Sequence, residues 1–189
     1  GNLIQVSTQS TTEINPSAFG NLKWSIDDFI PLIRGVTAPL VLVANPRVSA
    51  NTFPELVAWI KKNPGKLSYS SLPAGTPSHF LGFQLTERFG RDLAHVPSRN
   101  SGAQATDLIA GHVLFGFGQV QPTLPHIAAG RLKCFAILGE KRWPGKPDIP
   151  TLKEQGLGKI GGDAWYGILA AKGTPQIAVD TRAHANGEA

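Results

Sequence analysis

One cysteine, no methionine and no long apolar run set the first limits on this chain of 189 residues. With Cys134 alone, neither an internal disulfide nor a cysteine-based metal cluster can form. Cys134 lies in the apolar run 132–138, where a buried, inert thiol is expected. The longest flat apolar stretch, 38–44, has strand length and falls far short of the roughly 20 residues that span a bilayer. The chain is therefore not expected to be membrane-embedded. Lacking methionine, it is read as not beginning at a translation start, with any signal peptide outside it. Charged residues make up only 16% and hydrophobic ones 41%, a balance that suits a packed globular chain and argues against disorder. The net charge is +5, yet the basic residues come in ones and twos: Lys61-Lys62, Arg131 with Lys133, Lys141-Arg142. No basic helix interleaved with aromatics appears, so nucleic acid is not an expected partner, whereas mild basicity helps attract anionic solutes.

Catalytic signatures are equally scarce. There is no G-x-S-x-G elbow, no H-E-x-x-H, no P-loop and no G-x-G-x-x-G after a strand. The five histidines are dispersed. His79 and His95 can approach each other in an α/β lobe, but no acidic partner accompanies them. A hydrolase using Ser71 or Ser78 with His79 or His95 is the weakest reading, and His79 in a first helical turn more often packs or caps. No enzyme activity, metal or cofactor is expected.

What is present is a regular alternation of short strands and short helices. Phe53, Leu56, Val57 and Ile60 share a helical face, Thr52 and Glu55 form a capping box, and Lys61 and Lys62 suit the negative end of the helix dipole. Asn63-Pro64-Gly65 stops that helix. A strand follows at 66–70. Thr76-Pro77 then opens a helix in which Leu81, Leu85 and Phe89 recur every four residues, and Gly90 ends it. The cycle repeats with strand 93–97, helix 103–110 and Gly111. It repeats again with strand 113–117, helix 122–129, Gly130 and strand 132–138. A second capping box, Thr151 with Glu154, starts a short helix ended by Gly156. This order predicts an α/β fold with mostly parallel sheets and right-handed crossovers. Segments 3–7 and 31–36 read as strands separated by an insertion at 24–29, and 39–44 and 164–171 read as crossing strands between two lobes. The expected organisation is residues 1–44 as a partial first lobe with the first crossing strand, 45–162 as a complete second lobe, and 163–189 as the second crossing strand and the start of a return.

Ligands of open parallel sheets sit beyond the carboxyl ends of the strands, where helix N-termini also point. Three polar loops fall there. The first carries Ser71, Ala74, Gly75, Thr76 and Ser78, the second Ser98, Arg99 and Ser101, and the third Gln119. Together they offer hydroxyls and N–H groups with few formal charges, a neutral cradle for a carboxylate. Such loops serve equally as turns and caps. Arg99 is either a bidentate carboxylate clamp or an exposed arginine. Trp165 is either a cleft-facing or a core residue, and Asp107 reads as a solvated or capping carboxylate.

The motifs taken in order resemble a known family. They are Thr52-Phe53-Pro54-Glu55-Leu56 through Lys62-Asn63-Pro64-Gly65, Gly75-Thr76-Pro77-Ser78-His79-Phe80, His95-Val96-Pro97, Asp107-Leu108-Ile109-Ala110-Gly111-His112-Val113, Leu124-Pro125-His126-Ile127, Pro147-Asp148-Ile149-Pro150-Thr151-Leu152, Trp165-Tyr166-Gly167 and Gly173-Thr174-Pro175. In this series the chain is similar to the Bug-type substrate-binding proteins of tripartite tricarboxylate transporters. The resemblance implies a type II periplasmic-binding-protein fold of two lobes, the first incomplete here, closing on a small carboxylate that is passed to membrane permease subunits. It implies a periplasmic location and ligand contacts made largely by backbone amides, hydroxyls and bridging water. It also implies a first-lobe ligand loop at 7–13, with Ser10, Thr11 and Thr12 as its contacts. Departures from the family pattern are Ser98 and Asn100 in place of an aromatic and a glycine, Leu114 and Gly118 where aspartates are often found, and Glu13 where histidine is common. These departures motivate a second reading, a truncated or divergent lobe acting as an interaction or sensory module without solute binding.

Overall fold

The computed structural model describes residues 4–63, 67–90, 92–157 and 160–187, with side chains through 181. Along the chain run β1 (Ile4–Thr8), a π-helical turn (Ser10–Ile14), α1 (Asn15–Ala18), a 3-10 turn (Ile26–Asp28), β2 (Phe29–Ala38), β3 (Leu40–Ala44) and α2 (Phe53–Lys62). There follow β4 (Ser68–Ser71), α3 (Pro77–Phe89), β5 (Ala94–Pro97), α4 (Ser101–Ala110), β6 (Phe115–Gln119), α5 (Val120–Ala128), β7 (Lys133–Ile137), β8 (Ala164–Ala171) and α6 (Gln176–Gly187). Contacts divide the chain into one unit of residues 1–38 and 164–189 and another of residues 39–163.

The larger unit is a five-stranded sheet in the order β5-β4-β6-β3-β7. β4 pairs parallel with β5 and β6, while β3 pairs antiparallel with β6 and β7, so four of the five strands point the same way. All five residues of β3 are buried, which explains its unbroken Leu-Val-Leu-Val-Ala run: both faces of the strand are covered and neither needs a polar residue. Val41 and Val43 join Leu108, Val120, Leu132 and Ile137 in one core cluster. The path from β4 through α3 to β5 runs one way along the sheet, and the path from β5 through α4 to β6 runs back across β4. Right-handed crossovers in opposite directions put their helices on opposite faces. Accordingly α2 packs with α3, and α4 packs with α5.

Local chemistry sets the helix ends. Thr52 Oγ1 accepts from the Glu55 N–H, and Glu55 reaches back to the Asn51 N–H at 2.8 Å. The second capping box closes as expected: the Thr151 N–H donates to Glu154 Oε2 at 2.7 Å and the Glu154 N–H to Thr151 Oγ1 at 3.2 Å. Gly90 and Gly111 end α3 and α4 in the left-handed conformation, at φ of 66° and 79°.

Several boundaries differ from the sequence expectation. α4 starts at Ser101 and α5 at Val120, because Asn100 and Gln119 already occupy the N-cap positions. The strand expected at 113–117 is Phe115–Gln119, since the chain needs 112–114 to turn out of the left-handed Gly111. Of the expected strand 66–70 and the stop at Asn63-Pro64-Gly65, Lys66, Pro64 and Gly65 lie outside the described residues, as does Leu3 of strand 3–7. Leu40–Ala44, expected as a crossing strand grouped with residues 1–44, belongs to the five-stranded sheet.

The smaller unit is a three-stranded sheet, β1-β8-β2, antiparallel throughout. The expectation of mostly parallel pairing does not extend to it. The chain leaves this unit along β2 and re-enters along β8, and strands carrying a chain out and back pair antiparallel without a crossover helix. Ser25 caps the 3-10 turn, with its N–H bonded to Asp28 Oδ2 at 2.8 Å. The expected 24–29 insertion is thus a short capped turn leading into β2.

Candidate functional site

β4 and β6 are neighbours whose chains exit in opposite directions, β4 toward β5 and β6 over β3 to β7. The sheet therefore has its topological switch point between them, where open α/β sheets bind ligands beyond the strand C-termini. The strand ends there are Ser71 and Gln119. α3, α4 and α5 begin soon after β4, β5 and β6, so three positive dipole ends and their first-turn N–H groups gather at this edge.

The first loop is held by its own hydroxyls. Ser71 Oγ donates to the Leu72 carbonyl at 2.8 Å, and Ser78 Oγ accepts from the Leu72 N–H at 3.2 Å. Thr76 caps α3 by accepting from the His79 N–H and donates its own proton to the Pro73 carbonyl at 2.7 Å. Ser78 Oγ lies 3.2 Å from Thr76 Oγ1, whose proton is already given, so Ser78 is the donor of that pair. Gly75, at φ 82°, makes the turn that a side chain would strain. Ala74 is exposed at the tip. Ser71 and Ser78 are buried, and their protons are spent inside the loop. The Thr76 hydroxyl is likewise spent, so the loop's open groups are those of its backbone.

Of the second loop, Ser98 is buried and bonds Ser70 across the parallel pair, Oγ to Oγ at 3.0 Å. The Ser98 N–H donates to the Ser71 carbonyl at 2.9 Å, tying the second loop to the first. Arg99 is exposed. Asn100 caps α4, with its Oδ1 accepting from the Ala103 N–H at 2.9 Å. Ser101 Oγ donates to Gln119 Oε1 at 3.2 Å, which joins the second loop to the third. All nine expected site residues of this unit thus belong to one connected edge.

Two supporting residues, Tyr69 and Gln104, were not expected from the sequence, while His79 and His95 approach each other as expected. His95 Nε2 lies 2.8 Å from Ser71 Oγ. Its ring stacks on Tyr69 at 5.1 Å and meets His79 at 4.3 Å between centroids. Burial lowers the pKa of both imidazoles below 6.5, and their mutual repulsion lowers that of His95 further. Burial also raises the Tyr69 phenol. The parallel register Tyr69↔His95 is the signal that was available, since it follows from aligning the two strands. Gln104, fully buried, donates from Nε2 to the Phe117 carbonyl at 3.1 Å, which leaves its Oε1 buried without a hydrogen-bond partner. A Cβ on Gly118 would sit 3.0 Å from that oxygen, so the glutamine amide fills the space a side chain at 118 would take.

The remaining expected residues belong to the smaller unit. Ser10, Thr11 and Thr12 lie in the π-helical turn after β1, not in an open loop. The Thr11 N–H donates to Thr8 Oγ1 at 3.3 Å, and Thr12 Oγ1 donates to the Thr8 carbonyl at 3.1 Å. Helical geometry wins here because Thr8 supplies a side-chain acceptor at the turn's start. Trp165 is half-buried and not a core residue: its Nε1 donates to Glu13 Oε1 at 3.1 Å, and Gln9 donates to the other Glu13 oxygen at 2.9 Å.

Among the described residues no group of three or more His, Cys, Asp or Glu side chains is placed to hold a metal ion. Ser71 gives its proton to a carbonyl and not to His95, so its contact with that imidazole lacks the base geometry of an activated nucleophile. A doubly wound sheet with three helix N-termini at its switch point is an architecture in which α/β proteins bind ligands. Residues 1–187 match the family described as the tripartite tricarboxylate transporter family receptor, and the chain belongs to that family, which consists of receptors and not enzymes. It is similar to Protein BugT of Bordetella pertussis, 31% identical over 162 residues that cover 85% of this chain and 50% of that protein. The structure of the periplasmic binding protein BugD superposes with a TM-score of 0.85 at 29% identity, covering 97% of this chain and 62% of that one. MatC from Rhodopseudomonas palustris, solved with bound malate, shares the fold with a TM-score of 0.84 at 24% identity, over 98% of this chain and 63% of that one. The chain spans about half the length of the curated relatives it matches.

Proposed function

We propose that the protein is a periplasmic solute-binding receptor that captures a small organic carboxylate and delivers it to the membrane permease subunits of a tripartite tricarboxylate-type transporter. The observation that carries the reading is the gathering of three helix N-termini at the switch point, in a chain of a receptor family. Carboxylates suit such an edge because oriented N–H groups and dipole ends stabilise an anion without a buried cation. With the hydroxyl protons of Ser71, Ser78, Thr76 and Ser101 already given within this edge, recognition falls to backbone N–H groups, with Thr76, Ser101 and Gln119 lining the rim and Arg99 adding positive charge from outside. Ser10, Thr11 and Thr12 are proposed as the ligand-facing groups of the smaller unit. Among the described residues no helix is long and apolar enough to cross a membrane.

Calorimetry of the full-length protein against malate, succinate, adipate and citrate tests the reading. Saturable binding of at least one acid is expected, and a folded full-length protein that binds none would overturn it. A second reading, an interaction or sensory module without solute binding, draws on the buried and internally satisfied hydroxyls of Ser71, Ser78 and Ser98. That same null calorimetry, with a protein partner found instead, would favour it.

A further inference from the structure

Ser71 has one hydroxyl proton, and the Leu72 carbonyl takes it. His95 Nε2, 2.8 Å from the same oxygen, must then be the donor, which assigns the ring as its Nε2–H tautomer. The assignment fits the surroundings: both imidazoles are kept neutral at neutral pH by burial, and the Leu72 carbonyl also draws on the His95 ring. The ring has little freedom to turn away. Tyr69 stacks on it from the neighbouring strand, and His79 meets it from the first turn of α3. Tyr69 is itself locked, edge-on to Phe117 and flush against Gly82, where an added Cβ would clash with its ring. At the far end of the same turn, Ser78 and Thr76 secure Leu72 and Pro73. The 71–78 turn is therefore held from within at its helix end and from β5 at its strand end.

We propose that His95 is a positioning residue for anion binding at this edge: its Nε2–H fixes Ser71, and with it the 71–76 backbone, in the conformation that presents N–H groups at the α3 N-terminus. The inference rests on the carboxylate-receptor reading and names a residue that acts through another, without touching ligand.

Two substitutions separate the hydrogen bond from the packing. His95→Phe keeps a flat ring on Tyr69 but removes the donor, whereas His95→Gln places an amide N–H near the Nε2 position. Amide hydrogen exchange over residues 72–76, malate and adipate titrations, and thermal midpoints are measured on the full-length protein. His95→Phe is expected to raise exchange in 72–76 and to weaken binding about tenfold, the worth of one partly buried hydrogen bond. His95→Gln is expected to restore both. Ser71→Ala should weaken binding as His95→Phe does, with no further loss in the double variant. Unchanged exchange and affinity in His95→Phe would overturn the proposal. So would a His95→Gln variant that keeps the wild-type midpoint yet rescues neither measurement. Should the wild-type protein bind neither acid, the carboxylate reading is what suffers, and the exchange arm still decides whether His95 holds the turn.

Discussion

Alanine at Gly82 probes the packing that supports the site, because two opposed effects meet there. Gly82 lies within α3 and carries no unusual φ, so alanine gains helix propensity of up to about 1 kcal/mol. Its Cβ would, however, clash with Tyr69 Cε2 and lie 3.0 Å from Phe117 Cδ2. Neither ring can swing into solvent: Tyr69 is 2% exposed and Phe117 fully buried. Overpacking of this kind costs about 1–3 kcal/mol, and a contact this short against a locked ring belongs at the upper end. The net expectation is a loss of about 1–2 kcal/mol, seen as a thermal midpoint about 3–6 °C lower. Gly102 supplies the control, since its Cβ would meet only Asn100 Oδ1 at an ordinary 3.4 Å. Gly102→Ala in α4 should leave stability unchanged or raise it by a few tenths of a kcal/mol. Tyr69→Leu, which removes the obstructing ring edge, should recover part of the loss in the Gly82→Ala background. Urea titrations of the four proteins decide the matter. A Gly82→Ala protein as stable as wild type would refute the packing argument, and with it the account of why the His95 ring is held.

Three further outcomes are expected. The native pKa values of His79 and His95 lie below 6.5, so as pH falls past about 6.5 the unfolded chain takes up protons that the native chain refuses; stability should fall there and level off below the native values, and the slope should largely vanish in a His79→Gln/His95→Gln variant followed by denaturant melts. Cys134, its thiol pushed up to about 12 by burial, should resist iodoacetamide at pH 8 in the native protein and react promptly once unfolded; stoichiometric labelling of folded protein would contradict its place in the β7 core. Asn45→Ala removes donors to the Leu108 and Ile109 carbonyls, at 2.7 and 3.0 Å, and the acceptor for the Arg47 N–H; a loss of about 2–4 kcal/mol in chemical denaturation is expected, with the fold retained.

Much of the larger unit was legible in the sequence because its signals are local. Thr52, Thr76 and Thr151 cap where their spacing to the next N–H groups says they should, and Gly90 and Gly111 stop helices by a backbone property that needs no partner. The alternation of strand and helix was enough to place Ser71, Ser98 and Gln119 at strand ends. Other features were not legible, for reasons of geometry. Ser71 and Ser78 look alike in sequence whether their protons face a ligand or a carbonyl, and only the folded loop shows both turned inward. Ser10–Thr12 read as an open loop because nothing in the pattern reveals that Thr8 would start a helical turn.

Strand direction marks the same division. Hydrophobic periodicity names strands and crossovers, so the parallel run of β4, β5 and β6 followed from the sequence alone. It is silent on which strands become neighbours, because that depends on which faces remain uncovered once the helices have docked. Only the tertiary structure set β3 antiparallel in the middle of the larger sheet and β8 between β1 and β2. Only it brought His95 beside Ser71, two residues 24 positions apart whose contact depends on the β4–β5 register. The sequence by itself determined the capped helix ends, since capping is written in a few adjacent residues; what holds their loops in place was decided by long-range packing.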